Sequence, residues 1–313
     1  MTDDISLRDS ATPPETLAQP LTQNPPRRVL LLVNHHSRQG RTRAHQAADY
    51  LRSLGLEVFE ETSETPEQIS PLIVSYRQRV DGAVIGGGDG TLNAAIAGLL
   101  ETQLPLGILP LGTANDLART LSIPLNIVAA CNVIAQGRTQ RIDLGQVNDR
   151  YFFNVASLGL SVQITEQLSG DAKRRWGVLA YLATALRVLW RARPFRAEIC
   201  VNGEFIRVKT IQIAVGNGRH YGGGMTVAHD ATIHDQRLDL YSLELQHWWQ
   251  VLALFPALYH GHHPKWMGVR LLHAQELEVH TRRPRPINTD GEIVTSTPAH
   301  FRVLPRSLPV WVP

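Results

Sequence analysis

The sequence predicts an α/β domain with a parallel sheet, followed by a mostly β domain that we expect to be a sandwich with helical insertions. Between residues 28 and 109, apolar runs of strand length alternate with segments of helical periodicity, which is the pattern of a parallel sheet with crossover helices. After about residue 139, strand-like segments follow one another through short turns. The length of 313 residues also suits two domains.

Each element of the first domain has a local signal. Val29–Val33 is continuously apolar, as expected for a strand buried on both faces. Gly55 ends the helical pattern that starts at Arg41, and Pro66 suits the first turn of the next helix. The expected strands are Val29–Val33, Glu57–Thr62, Ala83–Ile85 and Leu106–Leu109, and the expected helices are Arg41–Leu54, Pro66–Arg79 and Leu92–Leu100.

Two turn dipeptides organise the second domain. Asn148-Asp149 separates strands Arg141–Val147 and Tyr151–Ala156, and Asn202-Gly203 gives a stronger hairpin signal. The other expected strands are Ala197–Val201, Glu204–Val208, Thr210–Val215, Leu238–Leu243, Leu277–His280 and Phe301–Val303. Two stretches interrupt this pattern and look helical. Lys173–Arg196 has seven basic residues and no acid, and His247–Trp266 is rich in Trp, Leu, Phe and His, so both are candidates for surface contact.

We place the domain boundaries where these patterns change. Residues 1–26 are polar and Pro-rich and are expected to form a flexible tail. The α/β domain is expected to span residues 27–140 and the β domain residues 141–300, which leaves 301–313 as a C-terminal segment.

The composition excludes several classes of protein. Apolar residues make up 43% and charged residues 19%, which rules out a disordered or fibrous chain. A formal charge of +3 is too small to indicate a nucleic-acid partner. Two cysteines exclude a disulfide scaffold and favour a reducing compartment.

No secretory signal is expected, because the first 26 residues lack an apolar core. The longest apolar stretch, Trp176–Trp190, is shorter than the roughly 20 residues that a membrane-spanning helix needs, and it contains Arg187. We therefore expect a cytoplasmic protein, at most peripheral on the inner face of the membrane.

The strongest local signal is the run Gly86-Gly87-Gly88-Asp89-Gly90-Thr91-Leu92-Asn93, between a strand and a helix. Glycines let backbone amides approach a phosphate, and the helix N-terminus adds positive partial charge. The carboxylate of Asp89 would repel phosphate unless a cation lay between them, so the run favours Mg²⁺-nucleotide chemistry. The alternative is a tight strand-to-helix turn capped by Asp89 or Thr91. The run matches neither the Rossmann fingerprint nor the P-loop.

A second run, Gly107–Arg119, again leads from a strand through a glycine turn into a helix. Thr113 can cap that helix or donate its hydroxyl to a phosphate. Two phosphate-facing loops would then lie at the carboxyl edge of one parallel sheet, where such sheets bind ligands. Asp116 is either a charge at the helix N-terminus or part of the acceptor site, and both interpretations stay open.

Two later motifs could add acidic groups. Asp290-Gly291 is typical of a hairpin turn, and Glu292 beside it could accept the proton of an alcohol during phosphoryl transfer. The glycine-dense loop Gly216–Gly224 is followed by Asp230, Asp235 and Asp239, which either hold a hard cation with backbone carbonyls or are solvated loop acids. The paired histidines, such as His35-His36 and His262-His263, lack zinc-site spacing.

Together these motifs resemble the diacylglycerol kinase catalytic family, which includes bacterial lipid kinases and sphingosine kinases. The motifs that carry the resemblance are Gly-Gly-Gly-Asp-Gly-Thr at 86–91, Leu-Gly-Thr-Ala-Asn-Asp-Leu-Ala at 111–118, the glycine loop at 216–224 and Asp-Gly-Glu at 290–292. The likeness covers about residues 28–313 and is greatest to the bacterial phosphatidylglycerol/diacylglycerol-kinase-like branch. Gly-Gly-Asp-Gly-Thr alone is shared with NAD kinases and phosphofructokinase relatives, whereas the Gly-Thr-Ala-Asn-Asp segment and the late Asp-Gly-Glu are much more specific.

The resemblance implies an ATP- and Mg²⁺-dependent lipid kinase with its active site between a nucleotide-binding domain and a β-sandwich. Glu292 would be the proton acceptor, and Asp89 would be the second catalytic carboxylate, bridged to the phosphates by Mg²⁺. The segment Phe301–Pro313 would return to the first domain. A structural Mg²⁺ on the second domain would bind the Asp235 carboxylate and the carbonyls of Thr232 and Arg237. The residues implied to line the ATP site are Asn34, Thr62, Gly86, Gly87, Gly88, Asp89, Gly90, Thr91, Leu92, Asn93 and Thr113.

The chain departs from the family in two places. Relatives usually begin with Asn-Pro-x-Ser-Gly, and here only Asn34, Ser37 and Gly40 match. Asp235 is followed by Gln236 where glycine is common. An NAD kinase-like small-molecule kinase and a non-catalytic lipid or nucleotide binder remain alternatives. The expected partners are ATP and a lipid at a membrane surface, with the lipid unspecified (diacylglycerol, phosphatidylglycerol or a sphingoid-like alcohol) and a homodimer left open.

Overall fold

The computed structural model describes residues 22–34, 38–168, 193–218, 220–221, 225–226, 232–244 and 268–313. The strands are β1 Thr22–Gln23, β2 Arg28–Asn34, β3 Glu57–Ser63, β4 Gly82–Gly87, β5 Leu106–Pro110, β6 Arg138–Val147, β7 Arg150–Phe152, β8 Val155–Gly159, β9 Phe195–Val201, β10 Glu204–Thr210, β11 Gln212–Gly216, β12 His220–Tyr221, β13 Met225–Thr226, β14 Leu238–Leu243, β15 Val269–Ala274, β16 Glu276–Thr281, β17 Pro286–Thr289, β18 Glu292–Ser296 and β19 Ala299–Trp311. The helices are α1 Arg38–Ser53, α2 Ile69–Tyr76, α3 Asp89–Thr102, α4 Asp116–Thr120, α5 Ile127–Gln136 and α6 Leu160–Leu168, with a 3₁₀ turn at Pro66–Gln68.

The first domain is built on four parallel strands in the spatial order β3, β2, β4, β5. The apolar run in β2 is fully buried, as its continuous hydrophobicity predicts. Helix α1 packs with α5, and α2 packs with α3. The predicted α/β class is confirmed. The helix expected over Pro66–Arg79 is shorter, because the chain first makes the 3₁₀ turn and α2 ends at Tyr76.

The second domain packs two antiparallel layers face to face. One is a six-stranded sheet in the order β15, β14, β11, β8, β17, β18. The other is the β10, β9, β16, β19 part of a larger sheet. Side chains such as Leu158, Ile213, Ile199 and Phe301 fill the space between them. The predicted sandwich is therefore confirmed, and the Asn202-Gly203 hairpin joins β9 to β10 with both turn residues at positive φ.

Strand β19 connects the two domains. Its first half pairs with β16 in the sandwich, and its last residues run beside β5, where Val310 faces Leu106 in a parallel ladder. One eleven-stranded sheet therefore continues through both domains. The ring of Trp311 packs where glycines leave room for it, since a Cβ on Gly82 would lie 2.2 Å from the ring.

The expected flexible tail over residues 1–26 ends earlier than the sequence suggests. Thr22 and Gln23 pair with β6, and the backbone N–H of Asn24 donates to the carbonyl of Gly137. Backbone pairing outweighs the proline content at this point. Residues 1–21 lie outside the described part of the chain, as do most of Lys173–Arg196 and all of His247–Trp266. Within the described ranges, no helix combines the length and apolarity needed to cross a bilayer.

Replacing Trp311 with Ala should destabilise the protein by about 3–5 kcal/mol, because the ring is 2% exposed and its removal leaves a cavity between β4 and β5. Chemical denaturation would measure the loss. The matched control is Phe205→Ala on the solvent face of β10, where 65% of the residue is exposed and a change within about 0.5 kcal/mol is expected. Equal effects of the two changes would contradict the role given to Trp311.

Candidate active site

The carboxyl ends of the four parallel strands bring together most of the residues that the sequence singles out. Asn34 ends β2, and Thr62 is the second-last residue of β3, where it faces Val33 in the ladder. Gly86 and Gly87 end β4 beside Leu109 and Pro110 of β5. The exposed Thr113 follows β5 in the next turn. Open α/β sheets bind ligands at this edge.

Helix α3 begins at this edge with its amides uncapped by a side chain. Gly88 is the N-cap residue and has no side chain to accept a hydrogen bond from the first turn. The N–H groups of the first turn of a helix lack partners within the helix and carry positive partial charge. The three glycines and the start of this 14-residue helix therefore form a surface suited to phosphate oxygens.

The glycine loop touches the second predicted loop directly. A Cβ on Gly112 would lie 2.4 Å from Cα of Gly88, which is closer than any real Cβ contact. Asn115 closes the Gly112 turn, because its side-chain oxygen accepts from the Gly112 N–H (3.0 Å) and its amide donates to the Gly112 carbonyl (2.9 Å). Asn115 adopts a left-handed backbone conformation to do so. The two loops thus fit together only with glycine at position 112.

Gly112→Ala should therefore cost about 1–3 kcal/mol of stability through overpacking of backbone against backbone. It should also weaken ATP binding by about tenfold, because the two loops are forced apart. Thermal unfolding and calorimetric titration with ATP would measure both. Gly55→Ala is the control, since that glycine at φ +90° has nothing within 4 Å of a Cβ, and it should lose stability but keep ATP affinity. Unchanged ATP binding in Gly112→Ala would count against the loop assignment.

Asp89 is the first residue of α3 and is half-buried. One of its oxygens, Oδ1, accepts from the backbone N–H of Leu117 in α4 at 3.2 Å. The carboxylate thus joins the starts of the two helices that follow the two loops. Carboxylate oxygens beside a phosphate-binding loop are the ligands that Mg²⁺ prefers, so the chemistry of this residue fits a metal-bound nucleotide.

Glu292 approaches the same place from the second domain. It begins β18, directly after the Asp290-Gly291 turn, in which both residues have positive φ as a two-residue hairpin requires. A Cβ built on Gly90 would lie 2.9 Å from Oε1 of Glu292. The Glu292 carboxylate therefore lies against Gly90 in the first turn of α3, and Gly90 directly follows Asp89 in the chain. The hairpin turn that the Asp-Gly dipeptide predicts is therefore confirmed, and this turn positions the Glu292 carboxylate.

Asp290 fixes this turn to the rest of the molecule. Its Oδ2 accepts from the N–H of Phe153 (2.7 Å) and from the side-chain amide of Asn93 (3.2 Å). Its Oδ1 accepts from the N–H groups of Asn154 (3.0 Å) and Val155 (3.1 Å). Although Asp290 as a residue keeps some exposed surface, its carboxyl group is enclosed by these donors. Burial raises the pKa of this carboxyl to about 6, and the four hydrogen bonds act in the opposite direction.

Three of the expected nucleotide-lining residues have other contacts in the structure. Leu92 is 1% exposed and packs in the core of the first domain. The Thr91 side chain fills the space beside Gly87. Asn93 donates to Asp290 and to the carbonyl of Tyr151, so it joins α3 to the second domain. Because a motif specifies chain positions and a helix distributes them over all its faces, only some of these side chains can face a ligand.

Sequence reasoning missed several residues that hold the two domains together. Asp143 is 1% exposed and accepts from the N–H groups of Gln236 and Arg306, both at 2.7 Å. Burial raises the pKa of its carboxyl above the usual range. Asn217 donates to the carbonyls of Asp143 (3.1 Å) and Phe153 (2.8 Å). The available signal was a lone acid inside an apolar strand pattern, which usually marks a buried polar network.

The proposed second metal site lies in a tight turn before β14. The carboxylate of Asp235 accepts from the N–H groups of Thr232 (3.4 Å) and Arg237 (3.3 Å). The Nε atom of Arg237 lies 3.2 Å from Oδ2 of Asp235 and 3.5 Å from Oδ1 of Asp239. Burial, together with the neighbouring Asp239, raises the pKa of Asp235 to about 6, while Arg237 acts to lower it. Two converging carboxylates fit a cation, and Arg237 would compete with it.

Comparisons with known proteins identify the family to which the chain is similar. The sequence model of the diacylglycerol kinase catalytic domain matches residues 28–147, and that of the YegS C-terminal NAD kinase beta sandwich-like domain matches residues 154–312. A diacylglycerol kinase of Mycobacterium tuberculosis is 30% identical over 281 residues, which is 86% of this chain and 89% of that protein. The chain belongs to the diacylglycerol kinase family.

A second relative is similar in sequence, and a solved structure is similar in fold. The diacylglycerol kinase of Bacillus subtilis is 30% identical over 236 residues, covering 74% of this chain and 78% of that protein. A putative diacylglycerol kinase from Bacillus anthracis, of known crystal structure, has the same fold, with a TM-score of 0.79 and 22% identity over 93% of this chain and 99% of that one. The chain is thus a kinase by its family, and membership of a kinase family implies the use of ATP.

Proposed function

We propose that the protein is an ATP- and Mg²⁺-dependent lipid kinase that transfers the γ-phosphoryl group to a lipid hydroxyl. The observation that carries the proposal is the approach of Glu292, from the second domain, to Gly90 in the first turn of α3, the helix that begins with Asp89. The names of the relatives, which are diacylglycerol kinases, support the same class of acceptor. Diacylglycerol, phosphatidylglycerol and sphingoid-like alcohols all carry a suitable hydroxyl.

In the proposed reaction, different residues bind the phosphates, accept the proton and hold the metal ion. The amides of Gly86–Thr91, with the hydroxyl of Thr113, bind the phosphates, and Asn34 and Thr62 lie at the same sheet edge. The oxygen of the lipid hydroxyl attacks the γ-phosphorus of ATP, and ADP leaves. Glu292 accepts the proton of that hydroxyl during the attack. Asp89 would hold Mg²⁺, which neutralises the phosphate charge when bound. Orientation of the hydroxyl by Glu292 is the contribution of the second domain.

A second Mg²⁺ is proposed at the turn of Thr232, Asp235 and Arg237, where it would hold the turn against β6. In the absence of nucleotide, the melting temperature should rise with added Mg²⁺, because a ligand that binds only the folded state stabilises it by about 2.7 kcal/mol at 100 times its Kd. Asp235→Asn should abolish this rise. Asp49→Asn, an exposed surface change, should retain it. A rise that is equal in all three proteins would contradict the site.

Transfer of labelled phosphate from ATP into a total lipid extract tests the proposed function. The expected product is a labelled phospholipid that forms only with Mg²⁺ present. An assay with NAD runs in parallel, because a small-molecule kinase would label NAD and leave the lipids unlabelled. Binding of ATP without transfer to any acceptor would instead indicate a non-catalytic relative. Either result would overturn the proposal.

A further inference from the structure

A strongly basic groove lies on the second domain, on the solvent-facing side of β9, β10 and β16. It has a volume of about 680 Å³. The charged and titratable residues lining it are Arg196, Glu198, Arg207, Lys209, His280 and Arg282. The single acid among them, Glu198, is already paired with Arg207 at 2.7 Å. The remaining fixed charges of the groove are positive.

Two of these cations face each other on neighbouring strands, where their repulsion lowers the stability of the sheet. Arg196 of β9 and Lys209 of β10 are directly opposite in the antiparallel ladder, and both are exposed. Like charges directly opposite on neighbouring strands destabilise a sheet. Among the residues that the structure describes, no acid lies within ion-pair distance of Arg196, Lys209 or Arg282. Within the described ranges, the charge of this face therefore favours an anionic partner.

The sequence of the neighbouring segments is itself mostly basic. The described residues Phe195, Thr210 and Leu243 lie at this end of the sandwich, because Phe195 pairs with Thr210, whose hydroxyl donates to the carbonyl of Leu243 (2.9 Å). In the chain, segment 169–192 comes shortly before Phe195 and segment 245–267 shortly after Leu243. These two segments contain six Lys and Arg residues but only one acid, Asp171. They also contain five of the six tryptophans of the chain. Tryptophan and basic residues are enriched where proteins meet the headgroups of a membrane.

We propose that the face formed by β9, β10 and β16 docks on the anionic phospholipid headgroups of a bilayer, with Arg196, Lys209 and Arg282 as its cationic contacts. This inference rests on the proposed lipid kinase function, since it supplies the surface that would bring the enzyme to a membrane-embedded substrate. Phosphate groups at a bilayer surface would also relieve the repulsion between Arg196 and Lys209. The attraction of basic residues to anionic lipids decreases with salt, so the docking should do the same.

Co-sedimentation with lipid vesicles tests the docking face. The wild-type protein should bind vesicles that contain phosphatidylglycerol at least tenfold better than vesicles of phosphatidylcholine alone. The triple variant Arg196→Gln, Lys209→Gln, Arg282→Gln should lose at least tenfold of this binding. The matched control removes three exposed arginines from the first domain, as Arg27→Gln, Arg43→Gln, Arg77→Gln, and should stay within about twofold of wild type. Inorganic phosphate at millimolar concentration should not release the wild-type protein.

Three results would overturn the proposal: binding that ignores lipid charge, equal losses in the two triple variants, or release by inorganic phosphate. Thermal melts of both variants show whether they are folded. Turnover on a short-chain, water-soluble diacylglycerol separates the docking face from the proposed function. The groove variant should retain that turnover, since the substrate needs no membrane. If neither the wild type nor the two triple variants phosphorylate a lipid, while vesicle binding follows the prediction, the proposed function is wrong and the docking face is still supported.

Discussion

Glu292→Gln should lower turnover by about 10²–10⁴-fold, because the amide cannot accept the proton of the lipid hydroxyl. The affinity for ATP should stay within about twofold, since the change keeps the size of the side chain and the phosphates lie on the glycine loop. The loss should appear in kcat, as expected for an interaction that strengthens as the proton is transferred. Labelled-phosphate transfer would measure kcat, and calorimetric titration would measure ATP binding.

The control for this change is Glu204→Gln, an exposed glutamate at the start of β10 far along the sheet from the loops. It should leave both turnover and ATP binding unaltered. Full activity in Glu292→Gln would refute the role of this carboxylate. A loss of ATP binding equal to the loss of turnover would instead mean that Glu292 acts on the nucleotide.

Asp290→Asn should destabilise the protein by about 2–4 kcal/mol and also reduce turnover, although the residue touches no substrate. Both oxygens of Asp290 accept hydrogen bonds, from three backbone N–H groups and the amide of Asn93. An asparagine would turn one acceptor into a donor that faces other donors. The turn that carries Glu292 would then lose its anchor, so we assign Asp290 as a positioning residue.

The pH dependence of stability distinguishes this role. Because the folded-state pKa of Asp290 is about 6 and its unfolded value is near 3.8, the folded protein holds this proton more tightly than the unfolded chain. The contribution of Asp290 is therefore most favourable below pH 4, falls as the pH rises from about 4 to about 6, and is constant above that. Asp290→Asn should remove this slope.

Asp149→Asn, in the exposed Asn148-Asp149 turn, is the matched control and should keep both the pH slope and the activity. Denaturation at a series of pH values measures the slope. The positioning role would be wrong if Asp290→Asn kept the wild-type kcat while unfolding more easily, since that would separate the anchor from catalysis.

The parts of the fold that depend on local chemistry were predictable from the sequence. Buried apolar runs such as Val29–Val33 identify strands, and the Asn202-Gly203 dipeptide identifies a hairpin, because each signal lies within a few residues. The convergence of the glycine loop with the Asp290-Gly291-Glu292 turn was expected only through the family resemblance. Nothing in the spacing of residues so far apart fixes their distance in space.

The features that could not be predicted depend on contacts between distant residues. The return of the C-terminal strand β19 to β5 was expected through the family resemblance, but its packing requires Gly82 and Gly107 to leave room for Trp311, which no local pattern expresses. The anchoring of Asp290 by Phe153, Asn154 and Val155 likewise becomes visible only in three dimensions. Leu92 lies in the core because of its position in the helical repeat, and the nucleotide-binding motif alone does not show which face of the helix it occupies.

A crystal structure with Mg²⁺ and a non-hydrolysable ATP analogue tests the central claim most directly. The prediction is that the triphosphate lies on the amides of Gly86–Thr91, with an Asp89 oxygen about 2.1 Å from the metal and the Glu292 carboxylate on the open side of the γ-phosphate. A triphosphate bound elsewhere, or one that Asp89 contacts while Glu292 faces away from it, would contradict the assignment of a shared active site to the two domains.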